Sequence, residues 1–158
     1  MDKEAFTKIY AAQVRYVWNV CLTLLNNPTD TEDAVQETFL RLLRQEDDLA
    51  DPACLRAWLT VTARNVCRDE LRRFRRRELS LEAAEAASTE PPEIDETLAA
   101  VRSLPEKYRL PIYLYYYEEL TTAQIAETLD RRESTVRSDL RRGRVRLKQL
   151  LGGNNHEG

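Results

Sequence analysis

Residues 120–142 read LTTAQIAETLDRRESTVRSDLRR, a stretch whose caps and apolar spacing indicate two short helices joined by a turn. Thr121 and Gln124 lie three residues apart and have the form of a capping box that starts the first helix. Ser134 follows the polar residues 130–133 and is expected to cap the second helix. The stretch therefore predicts a helix-turn-helix.

The two predicted helices each have an apolar face and a polar face. The apolar positions recur at helical spacing and are expected to be buried: Ile125, Ala126, Leu129, Val136, Leu140, Leu147 and Leu150. The small Ala126 allows the helices to cross closely. Most other side chains of the second helix are polar or basic, and Arg can donate two hydrogen bonds to guanine in the major groove. The pattern favours DNA binding, although a plain helical hairpin with a basic surface is the alternative.

Helical periodicity also occurs in the part of the chain that precedes this stretch. The first half contains a periodic segment over residues 4–25, a second that starts at a Thr29–Glu32 capping box, and a third from residue 55 into an arginine cluster. Another helical segment begins near Glu96. We find no sustained alternation of apolar and polar residues of the kind that marks strands. The predicted fold class is all-α.

An acidic, Pro-containing stretch divides the chain into two small helical domains. Residues 78–98 carry seven acids and no Lys or Arg, and they include a Pro-Pro pair. Such composition is typical of a linker. The predicted organisation is a first domain over 1–77, an acidic linker over 78–95, a helix-turn-helix domain over 96–151 and a disordered tail over 152–158.

The charge is distributed unevenly along the chain. The formal net charge is −3, but residues 64–77 carry a local charge of +5 and residues 131–148 one of +6. Basic side chains neutralise phosphates locally, so the overall charge does not argue against nucleic acid as a partner. Taken alone, either basic block is also consistent with a solvated helix face.

Several classes of protein are disfavoured. No apolar run reaches the roughly 20 residues that span a bilayer, and the acidic start does not resemble a secretory signal, so we expect a cytoplasmic protein without membrane insertion. Cys21, Cys54 and Cys67 lack metal-site spacing and are interpreted as buried thiols. The single His156 lies in the tail. We expect no catalytic residues, no metal and no cofactor, and hence no enzyme.

Specific motifs in both halves resemble one family. The helix-turn-helix, together with LPEKYR at 104–109, is similar to region 4 of bacterial sigma factors. DTEDAVQETF at 30–39 is similar to region 2.2, and RAWL at 56–59 with ARN at 63–65 and DELRR at 69–73 to regions 2.3 and 2.4. With only a short linker between them, the two sets resemble the extracytoplasmic-function (ECF) group of the sigma-70 family.

The resemblance implies a transcription initiation factor with three binding surfaces. Binding to the β′ clamp helices of core RNA polymerase would use Asp30, Glu32, Asp33, Gln36 and Glu37. Binding to the minus 10 element would use Arg64, Asn65, Arg68, Arg72 and Arg73. Binding to the minus 35 element would use Ser134, Thr135, Arg137, Ser138, Arg141, Arg142 and Arg144. Further implied partners are the β flap, double-stranded and melted promoter DNA, and an anti-sigma factor. The free chain is expected to be a monomer.

Five further interpretations concern single residues, a residue cluster and the function as a whole. Asn65 and the loop at 45–52 are candidates for holding an unpaired base, whereas Trp58 is interpreted as a core residue. Asp139 stands where the family commonly has a basic residue, so we expect it to contact cytosine or to orient Arg141 or Arg142, and to alter promoter preference. The tyrosine cluster at 113–117 is interpreted as core. The competing function is a stand-alone helix-turn-helix regulator, which should dimerise to read two half-sites.

Overall fold

A computed structural model describes residues 1–45, 49, 51–80 and 96–154, with side chains omitted from description at 74–80 and 153–154. The described residues form seven α-helices and no strand, which confirms the all-α prediction. The helices are α1 (Lys3–Leu25), α2 (Pro28–Arg44), α3 (Pro52–Ser80), α4 (Glu96–Arg102), α5 (Glu106–Tyr116), α6 (Thr122–Leu129) and α7 (Glu133–Asn154). The chain divides into two compact units, Met1–Pro91 and Pro92–Gly158.

The first unit is a three-helix bundle in which α1, α2 and α3 each contact the other two. Its core contains buried residues that recur at helical spacing on α2 and α3: Val35, Phe39, Leu42, Leu55, Leu59, Thr62 and Val66. A buried hydrogen bond of 2.6 Å joins the hydroxyls of Tyr16 and Thr60, so the two polar groups satisfy each other inside the bundle. This packing fixes the faces that α2 and α3 leave exposed.

The start of α2 differs from the sequence prediction. Asn27, not Thr29, is the N-cap, and its side chain accepts a hydrogen bond from the Asp30 amide at 3.0 Å. Pro28 occupies the first helical position, where its missing N–H costs nothing and its fixed φ suits the helix. The predicted Thr29–Glu32 capping box is therefore wrong, because the proline moves the start of the helix upstream.

In the second unit α7 packs against α4, α5 and α6. Gly143 permits the contact with α5, since a Cβ built there would lie 3.0 Å from Ile112 Cγ1 and 3.3 Å from Tyr108 Cβ. The capping box of α6 is confirmed: Thr121 Oγ1 accepts from the Gln124 amide, and Gln124 Oε1 accepts from the Thr121 amide. The predicted inward residues of α6 are buried.

Two arginines of the second unit are withdrawn from solvent, Arg102 fully and Arg109 in part. Arg102 is only 5% exposed, and desolvation lowers the pKa of its guanidinium, opposed in part by Tyr117. Burial likewise lowers the pKa of Arg109, with Glu106 opposing the effect. Arg109 Nε donates to the Leu104 carbonyl at 2.7 Å. This bond joins α5 to Leu104 in the short connection between α4 and α5.

Several burial predictions are wrong. Leu150 is 43% exposed and Leu147 half-buried, so the end of α7 is only partly covered by the rest of the unit. Tyr115 and Tyr116 are exposed at the end of α5, although Tyr113 is buried as predicted. Cys54 was predicted to be buried but is exposed near the start of α3, whereas Cys21 and Cys67 are buried as predicted.

Some predictions fall outside the described residues. These are His156, half of the 45–52 loop (46–48 and 50) and the linker at 81–95. The helix α3 continues three residues into the predicted linker segment, and α7 continues to Asn154 within the predicted tail. Within the described part of the chain, no helix is long and apolar enough to cross a bilayer. No group of three or more His, Cys, Asp or Glu side chains there could hold a metal ion.

Candidate nucleic-acid interface

The helix α7 buries one face and exposes the other, polar face to solvent. Val136 and Leu140 are buried against the rest of the unit, as predicted. Six of the seven residues expected at the minus 35 element are exposed and Ser138 is half-buried: Ser134, Thr135, Arg137, Ser138, Arg141, Arg142 and Arg144. Ser134 is not the cap, however, because α7 already begins at Glu133. Ser134 lies in the first turn, where its hydroxyl is exposed.

An open cleft of about 480 Å³ lies on the polar face of α7. Its lining consists of Tyr115, Thr122, Ser134, Arg137, Ser138, Leu140, Arg141 and Arg144. Five predicted residues therefore share one concave surface with Tyr115 and Thr122, which sequence reasoning did not assign to it. Beside the cleft, Arg144 Nη1 donates to Tyr116 Oη at 3.3 Å. Hydroxyls and guanidinium groups on one concave basic surface are suited to phosphates and base edges.

A second cleft of about 500 Å³ lies further along α7. It is lined by Tyr108, Arg141, Arg142, Val145, Arg146 and Gln149. The Arg146 guanidinium lies 5.8 Å from the centroid of the Tyr108 ring, and Lys107 Nζ lies 5.1 Å from it. Both distances are within the range of cation–π attraction. Basic side chains therefore continue beyond the first turns of α7.

Asp139 does not lie on the polar face. Its residue is 7% exposed, and Oδ2 lies 3.4 Å from Arg131 Nη1 in the turn of the helix-turn-helix. The same Nη1 lies 3.4 Å from the Lys107 carbonyl at the start of α5. The interpretation of Asp139 as a base contact, or as a partner of Arg141 or Arg142, is wrong. The nearby Arg131 stabilises the buried carboxylate of Asp139. Through this ion pair, Asp139 links α7 to the turn that precedes it.

The basic side of the first unit follows α3. Arg64 is half-buried, while Asn65, Arg68, Arg72 and Arg73 are exposed. The four-residue spacing of Arg64, Arg68 and Arg72 places these guanidinium groups along one stripe. Acids accompany the distal arginines: Arg72 Nη2 lies 3.1 Å from Asp69 Oδ1, and Arg73 Nη1 lies 3.7 Å from Glu70 Oε2. Trp58, interpreted from the sequence as a core residue, is half-buried.

The acidic surface of the first unit is carried by α2. Glu32, Asp33 and Gln36 are exposed, and Asp30 and Glu37 are half-buried. Glu37 Oε2 accepts from Arg41 Nε at 3.0 Å, so part of its charge is neutralised within α2. Two apolar side chains that the sequence did not single out, Leu40 and Leu43, are each 44% exposed on the same helix.

Comparison with known proteins assigns both units. Residues 9–78 match the Sigma-70 region 2 family model, and residues 94–147 match the Sigma-70, region 4 model. The ECF RNA polymerase sigma factor SigL of Mycobacterium tuberculosis is 33% identical over 84% of this chain and 80% of its own length. The chain belongs to the ECF group of RNA polymerase sigma factors.

Other relatives of this sigma factor are more distant or longer. The ECF sigma factor SigW of Bacillus subtilis is 28% identical over 95% of this chain and 90% of its own length. The probable RNA polymerase sigma factor RfaY of Xanthomonas campestris pv. campestris is 32% identical over 94% of this chain. The chain spans only 41% of the length of RfaY.

Two solved structures share the fold of this ECF sigma factor. The sigma factor RpoE of Bartonella quintana, solved in complex with the anti-sigma factor NepR, superposes with a TM-score of 0.78 at 21% identity, covering 94% of this chain and 97% of that chain. CnrH, solved with the cytosolic domain of CnrY, gives a TM-score of 0.71 at 23% identity, covering 98% of this chain and 92% of that chain. At these identities the superpositions establish the fold.

Proposed function

We propose that this chain is an alternative sigma factor that binds core RNA polymerase and directs it to a two-part promoter, while the polymerase performs the catalysis. The observation that carries the proposal is the pairing, in one ECF-family chain, of a region 2 unit with a region 4 unit that presents a basic helix-turn-helix face. Each unit offers a surface for DNA, and the first also offers an acidic surface for protein.

In the second unit, α7 enters the major groove of the minus 35 element. Arg137, Ser138 and Arg141 lie in or just after the first turns of α7 and line the cleft, which is where a recognition helix contacts base edges. Arg142 and Arg144 further along the helix hold phosphates. Tyr115 and Thr122 extend the cleft toward the backbone of the same DNA.

In the first unit, α3 faces the minus 10 element. The exposed Arg68, Arg72 and Arg73, with the half-buried Arg64, neutralise phosphates as the strands separate. Asn65 is exposed beside this stripe and supplies an amide that can both donate to and accept from an unpaired base. The 45–52 loop remains the second candidate for that pocket.

The face of α2 docks on the β′ clamp helices of core polymerase. Asp30, Glu32 and Asp33 give it negative charge, and Gln36 adds an amide that fixes orientation by hydrogen bonding. The exposed Leu40 and Leu43 add apolar area to the contact. Further proposed partners of this monomeric chain are the β flap and an anti-sigma factor.

The experiment is co-purification with bacterial core RNA polymerase, followed by selection of DNA from a random library with and without core. We expect stoichiometric binding to core and enrichment of a two-part element only when core is present. A double substitution, Asp33→Lys with Gln36→Lys, should abolish core binding, while Lys8→Glu on α1 serves as a charge-changing control. Polymerase-independent selection of a palindrome would instead identify a stand-alone helix-turn-helix regulator.

A further inference from the structure

An acidic residue stands at the start of the helix proposed to read DNA. Glu133 is the first residue of α7, where the positive end of the helix dipole favours a carboxylate. Its Oε2 accepts a hydrogen bond from Thr122 Oγ1 at 2.7 Å. The same Oε2 lies 3.1 Å from Arg137 Nη1. One carboxylate oxygen therefore connects the first turn of α6 to a guanidinium on the polar face of α7.

The ion pair contributes only a little to folding, as is usual for a pair four residues apart on a helix. The side chains of Arg137 and Glu133 are 59% and 42% exposed, and ion pairs at that exposure contribute little to stability. Both residues bonded to Glu133, Thr122 and Arg137, line the cleft of the proposed DNA interface. We therefore expect the ion pair to affect how Arg137 binds a ligand in this cleft.

Glu133 restrains the Arg137 side chain before DNA arrives. A free arginine has many rotamers and loses them on binding, whereas one held through Nη1 has already lost part of that freedom. The guanidinium keeps its other N–H donors, which lie in one plane and match two acceptors such as guanine O6 and N7. A guanidinium whose plane is fixed favours two hydrogen bonds to guanine over contacts of less defined geometry.

Glu133 also weakens the attraction of Arg137 for phosphate. A carboxylate 3.1 Å away neutralises part of the guanidinium field and repels the DNA backbone. This penalty applies to every DNA sequence, while the oriented hydrogen bonds are gained only at a matching base pair. The two effects together raise the ratio of specific to non-specific binding.

We propose that Glu133 is a positioning residue that sets base discrimination by Arg137 at a G·C pair in the major groove. The inference rests on the proposed function, because it requires α7 to read promoter DNA. Thr122 supports Glu133 through its hydroxyl, so Thr122, Glu133 and Arg137 act as one unit.

The test uses full-length chain bound to core polymerase and a DNA library randomised across the minus 35 element. The Arg137→Ala variant identifies the base pair whose preference depends on Arg137. At that pair, Glu133→Gln is expected to reduce discrimination between G·C and the other pairs at least about fivefold, while binding to random DNA rises. Glu127→Gln on α6 removes an exposed carboxylate next to the same turn and should leave discrimination unchanged.

Two further variants separate positioning from a structural effect. Thr122→Val should lower discrimination at the same pair by a smaller factor without a change in thermal unfolding. In the Arg137→Ala background, Glu133→Gln should have no further effect on discrimination.

Unchanged discrimination in Glu133→Gln, or an equal loss in Glu127→Gln, overturns the inference while leaving the sigma-factor function intact. A wild-type holoenzyme that selects no minus 35 element overturns the proposed function, and this inference with it.

Discussion

Replacing Asp139 by Asn removes the charge from a nearly buried ion pair inside the helix-turn-helix. The side chains of Arg131 and Asp139 are 20% and 10% exposed, and the charged atoms lie 3.4 Å apart. Breaking a fully buried pair costs about 3–5 kcal/mol. Because Arg131 retains partial exposure and the Lys107 carbonyl, we expect a smaller loss of about 2 kcal/mol.

The two units can be followed separately during unfolding. Both tryptophans, Trp18 and Trp58, lie in the first unit, whereas circular dichroism reports all helices. A loss of about 2 kcal/mol in a unit of this size should lower the midpoint of its thermal transition by about 8–16 °C. We expect Asp139→Asn to lower a circular dichroism transition by that amount and to leave the tryptophan fluorescence transition in place.

Asp130→Asn is the matched control, because it makes the same chemical change at an exposed position of the same turn. Asn also tolerates the left-handed φ of 55° at residue 130, so the control should change stability by less than about 0.5 kcal/mol. If Asp139→Asn proves no more destabilising than Asp130→Asn, the proposed linkage between Arg131 and Asp139 is refuted. Base preference at the minus 35 element should be unaltered in Asp139→Asn.

Three further substitutions test the packing. Glu119→Gly relieves a φ of 55° and should stabilise the second unit by about 1 kcal/mol; a lower midpoint in circular dichroism would contradict this. Gly143→Ala places a methyl 3.0 Å from the buried Ile112. Because Ala favours the helix by about 1 kcal/mol, the overpacking should destabilise the same unit by a net amount of about 1 kcal/mol, whereas Gly152→Ala, with open space around it, should not destabilise it. Thr31→Val removes a buried hydroxyl that has no hydrogen-bond partner among the described residues. It should raise the tryptophan-detected midpoint by an amount equivalent to about 1 kcal/mol, and an unchanged or lower midpoint would contradict the burial argument.

The parts of the fold that follow from periodicity were predictable from the sequence. Apolar residues three and four apart bury one face of a helix, and this rule placed Ile125, Leu129 and Val136 in the core. The capping box at Thr121 and Gln124 was equally local, since both of its hydrogen bonds lie within four residues.

What the sequence could not provide were contacts between elements. The buried carboxylate of Asp139 accepts a hydrogen bond from Arg131, eight residues earlier in the turn. The carboxylate of Glu133 meets Thr122 from the preceding helix. Tyr116 is the last residue of α5 and is exposed, although it continues the helical spacing of the buried Ile112. Each case requires the angle between helices, which spacing alone does not specify.

The most direct test of the central claim is run-off transcription from a selected two-part promoter. Core polymerase alone should give no transcript, and addition of the chain should give initiation at one position downstream of the minus 10 element. Arg137→Ala should reduce this transcript, while Glu127→Gln should leave it unchanged. Transcription that is equal with and without the chain, or repression of transcription when the chain is added, would contradict its assignment as a sigma factor.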